Sequence, residues 1–248
     1  MTAITASVEN LQKVYGQPGS TIAVKALRGV SLDFYEGESV ALCGQSGSGK
    51  STMMNIIGCL DRPTGGTYRL GGQDVSRLDD DELSAVRNKR IGFVFQNFNL
   101  IPQLTVLENV EVPLFYQSVP LRDRRAQAQR MIEMVDLADR GHHRPTELSG
   151  GQQQRAAIAR ALINDPMLIL ADEPTGNLDT ATGRMILDIF DRLHDEGKTI
   201  FCVTHDLNVA GRCDRIVTLR DGIVLSDERN NNRPSKALLD AGRTGTSP

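Results

Sequence analysis

Apolar and polar positions alternate over residues 3–15 and 22–34, the period of half-buried strands, and Gly16-Gln-Pro-Gly19 between them predicts a turn. The pattern then changes. Val40-Ala-Leu-Cys43 is an unbroken apolar run of strand length, and it feeds a glycine-rich turn and a helical stretch over about 51–60. Asp61-Arg-Pro-Thr-Gly-Gly66 breaks the chain, and residues 67–70 predict a short strand before the Gly71-Gly72 turn. Residues 79–89 read as a helix, opened by Asp79, Asp80 and Asp81 and closed by Arg87, Lys89 and Arg90, charges that complement its dipole. A buried strand is predicted at 91–95. Helical patterns follow at 105–116 and 122–137, with Pro113 and Pro120 as punctuation, and a third runs from 148 to about 164. Residues 167–173 predict a fully buried strand, 180–196 a helix and 199–204 another buried strand. Strands at 214–220 and 222–225 join at Asp221-Gly222.

Short apolar strands alternating with helices predict an α/β core built on a mostly parallel sheet. The first two strands form an antiparallel β flap beside it, and a helical subdomain is inserted at about 97–160. We place the domain at 1–226 and a surface tail at 227–248, where Asn230-Asn-Asn232 and a Gly/Thr/Ser-rich end replace apolar positions. No internal repeat is visible.

At 248 residues the chain is long enough for one large core. Its net charge is -3 with acids and bases interspersed, so no basic stripe points to nucleic acid. The four cysteines lack C-x-x-C spacing, and Cys43 and Cys202 sit in strand patterns, which predicts buried reduced thiols. His142 and His143 have no companion ligands at metal spacing and read as loop residues. Residues 1–10 lack the features of a signal peptide, and no apolar run approaches the ~18 residues of a membrane span. The expectation is a cytoplasmic chain that does not cross a membrane by itself.

The chemistry begins at Gly44-Gln45-Ser46-Gly47-Ser48-Gly49-Lys50-Ser51-Thr52, which fits G-x-x-x-x-G-K-[ST] after a strand and before a helix. Residues without a Cβ let successive N–H groups converge on phosphate oxygens, and the helix N-terminus favours the same anion. Lys50 supplies a mobile cation for terminal phosphates, and the Ser51 hydroxyl is placed to ligate Mg²⁺. A second glycine-hydroxyl device, Ser149-Gly150-Gly151-Gln152, opens the helix at 148 and again suits phosphate, or else only caps that helix. Asp172 and Glu173 end a buried strand, and period-2 geometry sends their carboxylates in opposite directions. Asp172 suits a Walker B role with Ser51 on Mg²⁺, and Glu173 suits polarisation of the water that attacks the γ-phosphate. Gln96 and His205 also stand at strand tips. Tyr15 reads equally as a base-stacking aromatic and a half-buried strand residue, and Asp179 as a helix cap. Phe98, Leu100, Ile101, Leu104, Val106, Leu114 and Phe115 offer apolar surface either for the core or for a groove that docks another protein's helix.

The order and spacing of 44–51, 148–152 and 168–173 resemble the ATP-binding cassette of ABC transporters, over about residues 3–226. The resemblance implies a P-loop NTPase fold and an ATPase that uses ATP and Mg²⁺. It makes Tyr15 similar to the adenine-stacking A-loop residue and Gln96 to the Q-loop residue beside nucleotide and metal. Ser149 to Gln152 resemble the signature, Asp179 the D-loop and His205 the switch histidine, so Glu173, His205 and Lys50 would carry catalysis. It further implies a head-to-tail homodimer that encloses each ATP between the cradle of one copy and the signature of the other. A separate transmembrane permease would hold the chain on the inner face of the plasma membrane. Gly58-Cys-Leu-Asp-Arg-Pro-Thr64 and Gly92-Phe-Val-Phe-Gln-Asn-Phe-Asn-Leu100 look most like the branch that exports macrolides and peptides or releases lipoproteins. A cell-division complex of the same branch and a soluble cassette acting on DNA or ribosomes are the alternatives. The latter type carries a long heptad insertion or a second cassette, and this chain has neither.

Overall fold

A computed structural model describes residues 3–16, 23–231 and 233. The two alternating stretches are its longest strands, β1 (Ile4–Tyr15) and β2 (Val24–Tyr35), paired antiparallel. Of the turn expected between them, only Gly16 lies within the described residues. β4 (Gly65–Leu70) joins the free side of β1 and the short β5 (Gln73–Asp74) completes a four-stranded sheet in the order β2-β1-β4-β5.

The apolar runs form the second sheet. Its strands are β3 (Ser39–Cys43), β6 (Ile91–Val94), β7 (Leu168–Asp172), β8 (Ile200–Val203), β9 (Arg215–Arg220) and β10 (Ile223–Arg229), in the order β10-β9-β3-β8-β7-β6. All neighbours pair in parallel except the β9–β10 hairpin. A parallel sheet is covered on both faces, which is why its strands lack polar alternation. Odd and even positions nevertheless part company. Val40, Leu42, Leu168, Leu170, Phe201 and Val203 face the antiparallel sheet with α1 (Lys50–Ile57) and α2 (Asp80–Arg90). Ala41, Ile169, Ala171, Ile200 and Cys202 face the helices α3 (Val106–Tyr116), α5 (Gly150–Leu162) and α6 (Thr180–Asp195). Between the sheets Phe34 meets Phe201 edge-on at 5.1 Å, and the buried Tyr68 hydroxyl donates to the Ile57 carbonyl at 2.7 Å.

α3 packs with α4 (Leu121–Met134) and α5, while α5 also lies against β6 and α6. Pro113 sits inside α3, within the helical span expected at 105–116. An interior proline costs about 3 kcal/mol of helix propensity, and burial of Val106, Val110 and Leu114 on the same helix offsets it. β10 runs to Arg229, beyond the end expected near 225, because Arg215 forks onto Asp227 across the hairpin with two contacts of 2.5 Å. Residues 227–229 are therefore strand, not tail. Beyond them Asn230 Nδ2 donates to the Gly211 and Cys213 carbonyls and Arg233 Nη1 meets Asp214 Oδ1 at 2.5 Å. The rest of the expected tail lies outside the described residues. Met167 stands before β7 and is 40% exposed, so the fully buried run starts one residue later than expected. All four cysteines are free thiols, with Cys59, Cys202 and Cys213 buried. Among the described residues, no helix is long and apolar enough to cross a membrane.

Candidate functional site

β3 ends at Cys43, and the chain wraps through residues 44–49 before α1 begins at Lys50. A Cβ on Gly44 would lie 2.3 Å from the Leu219 carbonyl oxygen and 2.6 Å from Ser48 Oγ, and one on Gly49 would lie 2.6 Å from the Ala26 carbonyl oxygen. The loop can press against β9 and β2 only because both are glycine. Gly49 is the N-cap of α1 and offers no side-chain bond, so the first amides of the helix are left for an external acceptor. Ser48 Oγ is buried without a partner, while Gln45, Ser46 and Gly47 are exposed. Lys50 Nζ arches back to donate to the Gly44 and Gln45 carbonyls at 2.7 and 3.0 Å. Ser51 is exposed and Thr52 half-buried on the first turn. An uncapped helix start, an orphaned hydroxyl and a cation bound only by neutral carbonyls form a cradle that fits an anion.

The carboxylates stand beside it. β7 ends at Asp172, and Glu173 follows with φ 43°, in the left-handed region. The pleat therefore ends before Glu173, and a turn, not strand alternation, parts the two side chains. Burial raises the Asp172 carboxyl above its usual range, the Glu173 charge adds to this, and Lys50 offsets it, so all three share one field. Glu173 Oε2 accepts from Thr204 Oγ1 at 3.0 Å, and Oε1 accepts from the His205 amide at 2.9 Å and meets His205 Nδ1 at 2.6 Å. Thr204 was not singled out from the sequence. Its only signal there is a polar residue closing an apolar strand.

Gln96 follows the end of β6. Its Nε2 donates to Asn177 Oδ1 at 3.2 Å, and Asn177 Nδ2 donates to the Gln96 carbonyl at 3.1 Å and to Asn97 Oδ1 at 2.7 Å. The side chain thus faces the loop after Glu173, where a Cβ on Gly176 would lie 2.6 Å from Gln96 Nε2. Phe98 and Asn99 both have positive φ, and Arg160 of α5 donates to their carbonyls at 2.9 and 2.6 Å. Burial lowers that guanidinium to about 10.

The second device caps α5. Ser149 Oγ accepts from the Gln152 amide and Gln152 Oε1 accepts from the Ser149 amide, a reciprocal capping box. Gly151 is buried, and a Cβ there would lie 2.3 Å from Thr182 Cγ2, so Ser149 and Gly150 form the accessible face. Asp179 caps α6, accepting from the Ala181 and Thr182 amides and from Thr182 Oγ1 at 2.5 Å, bonds that hold its carboxyl below the usual range. Among the described residues, no hydrogen bond or ion pair joins 149–152 to 44–52. The structure brings Lys50, Asp172, Glu173 and His205 together and leaves the signature apart from them.

Tyr15 ends β1, 41% exposed, with its hydroxyl donating to Asp61 Oδ2 at 3.0 Å and Lys13 Nζ 4.9 Å from its ring centre. A groove of about 730 Å³ lies between α2, α3, α5 and β6, lined by Phe93, Phe95, Val112, Pro113, Tyr116 and Arg160 among others. The apolar residues expected to offer docking surface do not line it. Val106 and Leu114 are core and Leu100 packs against it, whereas Phe93 and Phe95, stacked at 5.3 Å, form the groove wall.

A glycine-rich cradle between a central parallel strand and a helix, with paired carboxylates at the end of the next strand but one, defines a P-loop nucleoside triphosphatase. The chain belongs to the ABC transporter family, whose model matches residues 27–176. It is an ATP-binding cassette ATPase. An "Uncharacterized ABC transporter ATP-binding protein" of Thermotoga maritima is 57% identical over 208 residues, covering 84% of this chain and 89% of that protein. "Macrolide export ATP-binding/permease protein MacB" of Rhodopseudomonas palustris is 48% identical over 241 residues, covering 97% of this chain but 36% of that much longer protein. Among solved structures, a dimer of the ATP-binding cassette MJ0796 bound to ADP and Pi superposes with a TM-score of 0.82 at 47% identity, covering 91% of this chain and 99% of that one.

Proposed function

We propose that this chain powers an exporter as a head-to-tail homodimer, bound on the inner face of the plasma membrane to a permease that is a separate chain. Relatives named for macrolide and pyoverdine export carry permease and ATP-binding parts together. The Thermotoga protein, named only for ATP binding, is matched over most of its length. The cargo class is a macrolide, a peptide or a lipoprotein-like molecule, and no nucleic acid is involved. In this reading the ATPase spans residues 1–229, to the end of β10, with the helical subdomain at about 97–160, and the groove beside Phe95 and Tyr116 receives the permease.

Residues 44–52 hold the phosphates of ATP, with Lys50 exchanging the two loop carbonyls for terminal phosphate oxygens. Ser51, Asp172 and Gln96 would hold Mg²⁺, which would supply neutralisation of phosphate charge. Asp172 fits that role, since burial and Glu173 already disfavour its charge and a cation would relieve it. Gln96 must trade its bond to Asn177 to take part. Glu173 Oε1 takes the proton of the attacking water, while Thr204 and the His205 amide fix the carboxylate and the His205 ring stands beside it. Tyr15 stacks on the base. Ser149, Gly150, Gly151, Gln152 and Asp179 complete the site of the other copy.

The observation that carries this reading is the presence in one chain of two anion devices that, among the described residues, no hydrogen bond or ion pair joins. Mixing Lys50→Ala chains with Ser149→Asp chains tests it. Aspartate still caps the helix but sets a carboxylate where phosphate arrives. Gly151→Asp is unsuitable because its Cβ would strike Thr182. Each homodimer has two damaged sites, whereas a mixed dimer has one intact cradle facing one intact signature. Mixing should restore trapping of labelled ATP. Mixed dimers, verified with two tags, that trap none would refute the shared site.

A further inference from the structure

Gln154 is fully buried on α5, and its Nε2 donates to the Pro174 carbonyl at 2.6 Å while its Oε1 has no partner among the described residues. A buried amide that keeps one bond and leaves its other end unsatisfied is costly, so its presence calls for an explanation. Pro174 is the residue after Glu173. The carbonyl that Gln154 grips thus belongs to the peptide between Pro174 and Thr175, one residue past a left-handed Glu173 whose carboxylate holds Thr204 and His205. Three positions earlier on α5, on the same helical face, Gly151 is clasped by Thr182, which is itself bonded to Asp179. The inner face of the signature helix is therefore hydrogen-bonded at one point, and closely packed at another, to the segment that carries Glu173 and Asp179.

Resting on the shared-site reading above, we propose that Gln154 is a positioning residue that couples the two ATP sites of the dimer. In a head-to-tail pair, one subunit's Ser149 serves the ATP held by its partner, but that subunit's Glu173 serves the ATP in its own cradle. A helix moves as a rigid body over its first turns, so capture of phosphate at Ser149 shifts Gln154 and with it the Pro174 carbonyl. The backbone next to Glu173 then reports in one site whether the other site is filled. Conversely, release of phosphate at Ser149 loosens the base next door.

The test compares two near-isosteric variants of the full chain. Gln154→Met keeps the packing and removes the donor. Gln154→Glu can donate to Pro174 only while its buried carboxyl keeps its proton. The parent should hydrolyse ATP with a Hill coefficient above 1. In Gln154→Met the coefficient should fall to about 1 and kcat should drop on the order of 10- to 100-fold, the cost of a displaced catalytic group. KM should stay within about twofold and the melting temperature near that of the parent. Gln154→Glu should regain hydrolysis relative to the parent as pH falls, and Gln154→Met should not. A parent Hill coefficient of 1, unchanged kcat and cooperativity in Gln154→Met, or loss that tracks melting temperature with no recovery at low pH would each overturn the proposal. Unfolding of both variants would make Gln154 a packing residue and do the same. ATP-driven dimerisation of Glu173→Gln chains, measured with native Gln154, separates this from the reading beneath it. If that dimer fails to form, the shared site is wrong. If it forms while Gln154→Met hydrolyses normally, only the coupling role is wrong.

Discussion

Replacing Glu173 by glutamine should separate binding from chemistry. The carboxylate accepts three bonds, two at Oε1 from the His205 amide and ring and one at Oε2 from Thr204 Oγ1. An amide oxygen can take over Oε1, and the amide nitrogen can donate to the Thr204 hydroxyl, which already accepts from the Asp206 amide. All three contacts have a substitute, so stability should change by less than about 0.5 kcal/mol. The proton acceptor has none. General-base assistance contributes about 10²- to 10⁴-fold, so kcat should fall by that factor, or about 3 to 5 kcal/mol of barrier at 1.36 kcal/mol per decade. Nucleotide affinity, followed by a fluorescent ATP analogue, should stay within about twofold. Removing the like charge next to Asp172 should also let that carboxyl ionise more readily, which favours Mg²⁺. A kcat within tenfold of the parent would show that Glu173 is not the base. A collapse of affinity together with melting temperature would show that its role is to hold β7 to β8.

Tyr15→Phe loses only the bond to Asp61 and should bind ATP nearly as the parent does, whereas Tyr15→Ala should lose about 1 to 3 kcal/mol if a base stacks there; equal affinities would return the ring to a purely structural role. Gly44→Ala should abolish ATP binding and cost about 1 to 3 kcal/mol of stability, because its Cβ meets the Leu219 carbonyl; chemical denaturation and a binding titration check both. Tyr116→Glu, at a position 75% exposed, should leave ATP binding by the isolated chain intact and weaken co-purification with the permease. Burial alone would raise the Asp214 carboxyl, but bonds from His194 and Ser39 and the charge of Arg233 hold it well below the usual range. Its contribution to stability is thus complete above about pH 4 and lost as pH falls below that value. Melting curves of Asp214→Asn should therefore lie below the parent at neutral pH and converge with it in acid.

The cradle was legible because its chemistry is local: three glycines, a lysine and a hydroxyl at fixed spacing can do little else between a strand and a helix. The strand tips bearing Gln96, Asp172 and His205 followed from apolar runs, since parallel strands must end where polar residues begin. What escaped was set by distant contacts. Leu100 and Phe95 look alike in sequence, and each packs against a core cluster, yet only Phe95 also walls the groove. Gln154 and Arg160 carry no local signal at all. Each is a polar residue inside an otherwise ordinary helix, and its meaning lies in a carbonyl 20 or about 60 positions away.

The α3–α4 hairpin meets the rest of the molecule chiefly through α5, while the reacting groups sit at the ends of β3, β7 and β8. Such a layout lets different parts of the sequence diverge at different rates. If the permease docks on the helical subdomain as proposed, substitutions on the outward faces of α3 and α4 would refit the machine to a new membrane partner without touching a group that handles phosphate. Changes in α5 disturb both. A chimera that exchanges residues 106–134 between two relatives, with its own α5 retained, should therefore keep the ATPase of the recipient and take its permease preference from the donor.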